Sequence, residues 1–167
     1  AVTISPTTGM KMYINGALQQ STNSSTVPIG TQTGTTYSDN VALAKWGSFS
    51  VRYFYGHIDE VRLWEDERTQ LEIRSYMCKK LVGNEPNLRA YYRFDTPNAT
   101  SLNDDSQNSY HGTLVNIAST NWVYSGAPIG DFSSFIYSAV GMSGQSLSLG
   151  LSNNDQINVN NIYLSKF

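Results

Sequence analysis

Asn15-Gly16 joins two short runs, MKMYI and ALQQ, the first of which alternates apolar and polar residues. A two-residue Asn-Gly link supplies the positive φ values of a type I′ turn, whose twist suits antiparallel strands, so residues 10–18 predict a β-hairpin. A hairpin is marginal alone and needs further strands or a covering layer. The chain offers such strands. Strand signals return at 41–45, 49–64, 88–94, 111–116 and 122–124, separated by stretches rich in Gly, Ser, Thr, Asn and Asp. Residues 19–40 read as a long polar loop with a short strand at 27–29. One helix is predicted: Thr69-Gln70-Leu71-Glu72 is a capping box, and Ile73, Tyr76, Met77 and Leu81 follow on one face, with Gly83 as the stop. Gly126-Ala127-Pro128-Ile129-Gly130 punctuates the chain. Beyond it, Ser146 to Leu151 alternates strictly, and Ile157, Val159 and Ile162 to Leu164 signal more strands. Residues 130–167 therefore read as a linker and the beginning of a further β-rich domain.

Composition narrows the function classes. Charged residues make up only 14% of the 167 and hydrophobic residues 40%, so solubility rests on neutral polar groups, a pattern that favours a β-rich extracellular or cell-surface protein. A net charge of −2, with lysines and arginines scattered, leaves no footprint for nucleic acid. No apolar run reaches the roughly 18 to 20 residues needed to span a bilayer. Cys78 is the single cysteine, which rules out an internal disulfide and a cysteine-rich zinc site; it falls off the apolar helix face and reads as a tolerated small residue. Export without disulfides suits bacterial secretion. Asn23-Ser24-Ser25 and Asn98-Ala99-Thr100 match the glycosylation sequon, which is common by chance in such a chain.

The ordered motifs MKMYINGALQQ, YFYGHIDEVRLW, RTQLEIRSYM, LVGNEPNLRAYYRFD, DSQNSYHGTLVN and WVYSGAPIGD, spanning roughly 2–131, resemble laminin-G-like, concanavalin A-like jelly-roll domains of large secreted or surface proteins of Bacteroidetes-type bacteria. The resemblance implies an all-β antiparallel sandwich with one short helix, residues 1–129 being the C-terminal portion of such a domain. Domains of this kind carry a sizeable N-terminal half ahead of the hairpin. The missing strands are therefore expected from a longer polypeptide, from a neighbouring chain, or from the region 94–114, which resembles the element that opens these domains. An uncovered half-sandwich exposes edges and an apolar face, so a covering partner is expected.

The adjacent acids Asp59-Glu60 raise the question of chemistry. On a continuous strand, neighbours point to opposite faces and cannot act on one bond. Glycosidases of the superfamily place their acids at i, i+2 and i+4, and here neither face carries a second acid. Val61 and Leu63 look core-facing, so Asp59 is expected at the buried end of that face, held by amides of a neighbouring loop or by calcium. Glu60 and Arg62 are expected to form a partly exposed, weak ion pair, and Asp59→Ala to cost more stability than Glu60→Ala. Calcium is the candidate cofactor, with Asp59, Asp104, Asp105 and Asn108 as candidate ligands, because an Asp/Asn/Ser loop presents several hard oxygens; the same residues also simply make turns. The resemblance implies a structural calcium, although Gln107 and Ser109 stand where that family's loop has glycines. Trp46, Tyr53, Tyr55, Tyr91 and Tyr92 are candidates for stacking on a sugar, with at most one of Tyr91 and Tyr92 in the core. These features point to a non-catalytic adhesion or binding module recognising glycan or protein. A building block of an extracellular filament is the alternative, and a glycoside hydrolase or its accessory lectin module the further one.

Overall fold

The computed structural model describes residues 1–5, 7–22, 41–44, 53–97, 100–125, 127, 129, 145–149 and 156–159. The hairpin forms as its turn chemistry demands: β2 (Gly9–Ile14) and β3 (Ala17–Thr22) are joined by Asn15 and Gly16 at φ 50° and 69°. β1 (Val2–Ser5) adds to β2 from the other side, giving the order β1-β2-β3. Gly16 does more than turn. Its carbonyl accepts from Gln70 Nε2 at 3.0 Å and Arg74 Nε at 2.8 Å, and a Cβ there would lie 2.7 Å from Arg74 Cγ. The hairpin tip is thereby pinned to the helix.

The remaining strands are β4 (Val41–Leu43), β5 (Gly56–Ile58), β6 (Val61–Trp64), β7 (Leu88–Tyr92), β8 (Ser101–Leu102), β9 (Gly112–Val115), β10 (Trp122–Tyr124), β11 (Gln145–Leu149) and β12 (Gln156–Val159). They assemble as β10-β11-β5, β4-β12-β9-β8 and the ribbon β6-β7. Among the described residues every pairing is antiparallel, in keeping with the all-β expectation. Two expected features change. The run at 49–64 is not one strand: within its described part β5 ends at Ile58, β6 starts at Val61, and Glu60 between them sits at φ 53°. Secondly, β11 inserts between β10 and β5, and β12 between β4 and β9. The strands expected to open a further β unit instead extend sheets built by earlier residues, because antiparallel edges there take up their backbone groups.

The β6-β7 ribbon lies between two cores. Val61 and Leu63 face a large cluster containing Ala90, Tyr92, Phe94, Leu102, Leu114, Ile117 and Trp122. Trp64 faces a small one of Leu81, Leu88, Tyr91 and Tyr76. Residues following the helix supply the partner strand of the IDEVRLW segment.

The capping box is present, with Glu72 N donating to Thr69 Oγ1 at 3.2 Å and Thr69 N to Glu72 Oε2 at 2.8 Å. Helix α1 (Gln70–Tyr76) stops before the expected Gly83. Arg62 explains the early end: its guanidinium donates to the carbonyls of Tyr76, at 2.6 Å, and Lys79, satisfying groups a longer helix would have used.

Candidate functional site

At the β5–β6 corner the acids part company because the chain turns there, not because a strand alternates. Asp59 is half-buried and accepts from the Ser125 hydroxyl. Desolvation pushes its carboxyl above the ordinary value, with the Ser125 bond opposing. Ser125 Oγ in turn accepts from Ala127 N at 3.1 Å. Asp59 is thus held by the Ser125 hydroxyl and the backbone amide of Glu60, where amides of a neighbouring loop were expected. Glu60 Oε2 takes Arg62 Nη2 at 2.7 Å and the Tyr91 hydroxyl at 2.6 Å. The Glu60–Arg62 pair is more enclosed than the expected partly exposed one, with side-chain exposures of 13% and 10%. Burial, then the hydrogen bond to Glu60, drives the Tyr91 hydroxyl well above its usual range.

The loop 104–108 performs the amide-capping role. Asp104 Oδ1 accepts from Tyr91 N and Ser106 N, and Oδ2 from Tyr110 N and Ser106 Oγ, all at 2.8 Å. A carboxylate offers about four acceptor positions, and these four hydrogen bonds occupy them. Asp104 N donates to His111 Nδ1 at 3.1 Å. Asn108 Nδ2 donates to the carbonyls of Leu88 and Arg89, tying the loop to β7. Asp105 is exposed at the side chain, and desolvation still raises its carboxyl. Among the described residues, no three His, Cys, Asp or Glu side chains gather in a way that could hold a metal ion.

The aromatic candidates also separate. Tyr91 and Tyr92 are both fully buried, 0% exposed, where at most one was expected in the core. The reason is the position of β7 between two cores: Tyr92 enters the large one and its hydroxyl donates to Tyr110 O at 2.6 Å, while Tyr91 enters the small one. Neither is available to a ligand. Tyr53 is partly exposed and Tyr55 is 66% exposed. Trp46 lies outside the described residues.

The hairpin sheet is built inside out. Thr3, Ser5 and Tyr13 are buried, whereas Val2, Met10, Met12 and Ile14, on the opposite face, are exposed. The inward side is held by polar contacts, among them Lys11 Nζ to Glu67 Oε1 at 2.6 Å and Thr8 Oγ1 to Glu67 at 3.1 Å. Period-two alternation marked both faces in the sequence; nothing in it told which one turns to solvent.

Residues 1–74 match the laminin-G-like family model of the concanavalin A-like lectin/glucanases superfamily. The match takes in the Asn-Gly hairpin, the Asp59-Glu60 corner and most of α1. No curated protein and no solved structure matches the chain. Among the described residues no helix is long and apolar enough to cross a membrane.

Proposed function

We propose that this chain is a non-catalytic binding module, acting outside the cell or at its surface, that recognises a glycan or the surface of another protein. One observation carries the reading: within the lectin/glucanase segment the paired acids are committed to the frame. Asp59 binds Ser125, and Glu60 is enclosed by Arg62 and Tyr91. A glycosidase needs two carboxyl groups flanking one bond, separated by about 5 to 9.5 Å across an open site. Acids engaged in framework bonds at a chain corner suit a scaffold instead. The superfamily match supports a glycan as one class of ligand.

The exposed apolar row Val2, Met10, Met12, Ile14 favours a second reading, a building block that packs against another β-layer. Contiguous apolar surface of this kind marks interaction sites. Calcium is a separate proposal, one that the glycan reading does not need and that the chelator arm of the test below examines.

A glycan array with the intact chain, repeated with a chelator, tests the proposal. Binding that survives chelation is the expected outcome. Binding lost with the chelator and restored by calcium would assign a metal to the site. No binding, together with concentration-dependent self-association, would replace the glycan reading with the structural one.

A further inference from the structure

A second feature, away from the acids at 59 and 60, has the form of a ligand site. A cleft of about 300 Å³ lies between the loop that precedes β7 and the residues Gln107 and Asn108. This is at the lower end of the roughly 300 to 1,000 Å³ typical of small-molecule sites. Both walls are fixed in advance. Glu85 accepts from Val82 N at 2.8 Å and Gly83 N at 2.9 Å, and Asn87 O accepts from Glu65 N at 2.9 Å. Gln107 N donates to Gly83 O at 3.1 Å, clipping one wall to the other. Gly83, at φ 97°, permits the approach: a Cβ there would stand 2.1 Å from Asp105 O.

The groups left over define the ligand. Glu65 and Arg89 pair at 2.8 Å, yet the Glu65 side chain is half exposed and Arg89 Nε is buried without a partner. Asn84 and Gln107 are exposed, and among the described residues neither side-chain amide has a hydrogen-bond partner. Each amide offers a donor and an acceptor, the carboxylate accepts and the guanidinium donates. Two carboxylates against one guanidinium disfavour an anion. A metal cation is disfavoured too, because both Glu85 oxygens are committed to amides and Arg89 offsets the charge of Glu65, whose other oxygen stays open. Little apolar lining is present beyond Pro86 and the buried Leu88, so a hydrophobic ligand gains nothing. A neutral molecule whose neighbouring hydroxyls each donate and accept matches this set.

We infer that this cleft binds a neutral sugar ring, with Asn84, Gln107 and Glu65 reading its hydroxyls. The inference rests on the binding-module reading and places its ligand at one site. The test is a titration of the isotope-labelled full chain with the methyl glycosides of glucose, galactose, mannose and N-acetylglucosamine at millimolar concentrations, followed by backbone amide shifts. Shifts centred on residues 83–89, 107 and 108 are expected for at least one sugar. The double substitution Asn84→Ala with Gln107→Ala should weaken that binding about tenfold or more, with unchanged thermal stability, because both side chains are free at the surface. Shifts centred on Tyr55, or full binding by the double variant, would overturn the cleft while leaving glycan binding standing. No shift with any of the four sugars would also overturn it, and the array on the same protein then judges the wider reading separately.

Discussion

Glu60 and Asp59 are neighbours with opposite energetics. Removing the Glu60 side chain leaves Arg62 enclosed and unpaired and strips the Tyr91 hydroxyl of its acceptor. Breaking an enclosed pair from one side typically costs about 3 kcal/mol. Asp59 is half-buried and loses the Ser125 contact and a weaker one to the Glu60 amide, a cost of about 1 kcal/mol. Glu60→Ala is therefore expected to destabilise more than Asp59→Ala in urea melts, the reverse of the order that strand alternation suggests; equal losses would contradict it. Asp59 also carries a pH signature. Its carboxyl is raised by desolvation, so the stability of its neutral form is fully present below the ordinary 3.8 and is lost as pH rises through the folded value. Asp59→Asn keeps an acceptor for Ser125 without the charge. Its melting temperature should exceed that of the wild type at pH 7, and the gap should close on acidification through that window. A gap that stays constant with pH would remove desolvation as the cause.

Among the elements, those with local chemical causes were legible in the sequence. Asn15-Gly16 dictated its turn, Thr69 to Glu72 dictated its cap, and the alternation at Ser146 to Leu149 gave a strand. What failed depended on distant partners. The helix ends at Tyr76 because Arg62, 14 positions earlier, captures its carbonyl. Tyr91 and Tyr92 are both buried because β7 has a core on each side, which one strand's pattern cannot reveal. An Asp-rich loop serves metals and turns equally well, and only the positions of the Tyr91 and Tyr110 amides show that both Asp104 oxygens hold backbone groups. The cleft was equally hidden, its walls being joined by Gly83 and Gln107 across 24 positions. The role of Asp104 has a direct consequence for its loop. Asp104→Ala strands three amides and a hydroxyl, and should cost about 3 kcal/mol or more in denaturant melts, while adding chelator to the wild type should leave the Asp104-held loop intact. A loss under about 1 kcal/mol would show that the loop holds without it.

Among the described residues, antiparallel sheets around a large and a small core hold the acids at a corner, and the inside-out hairpin sheet and the polar cleft are the surfaces proposed here for recognition. The superfamily whose model residues 1–74 match takes in lectins and glucanases, and the proposed function is that this chain binds without cutting. Release of reducing ends from a panel of polysaccharides by the intact chain, alongside Glu60→Gln and Asp59→Asn, tests it most directly. The expected result is no release above the buffer control from any of the three proteins. Turnover by the wild type that either substitution abolishes, with the fold retained, would contradict it.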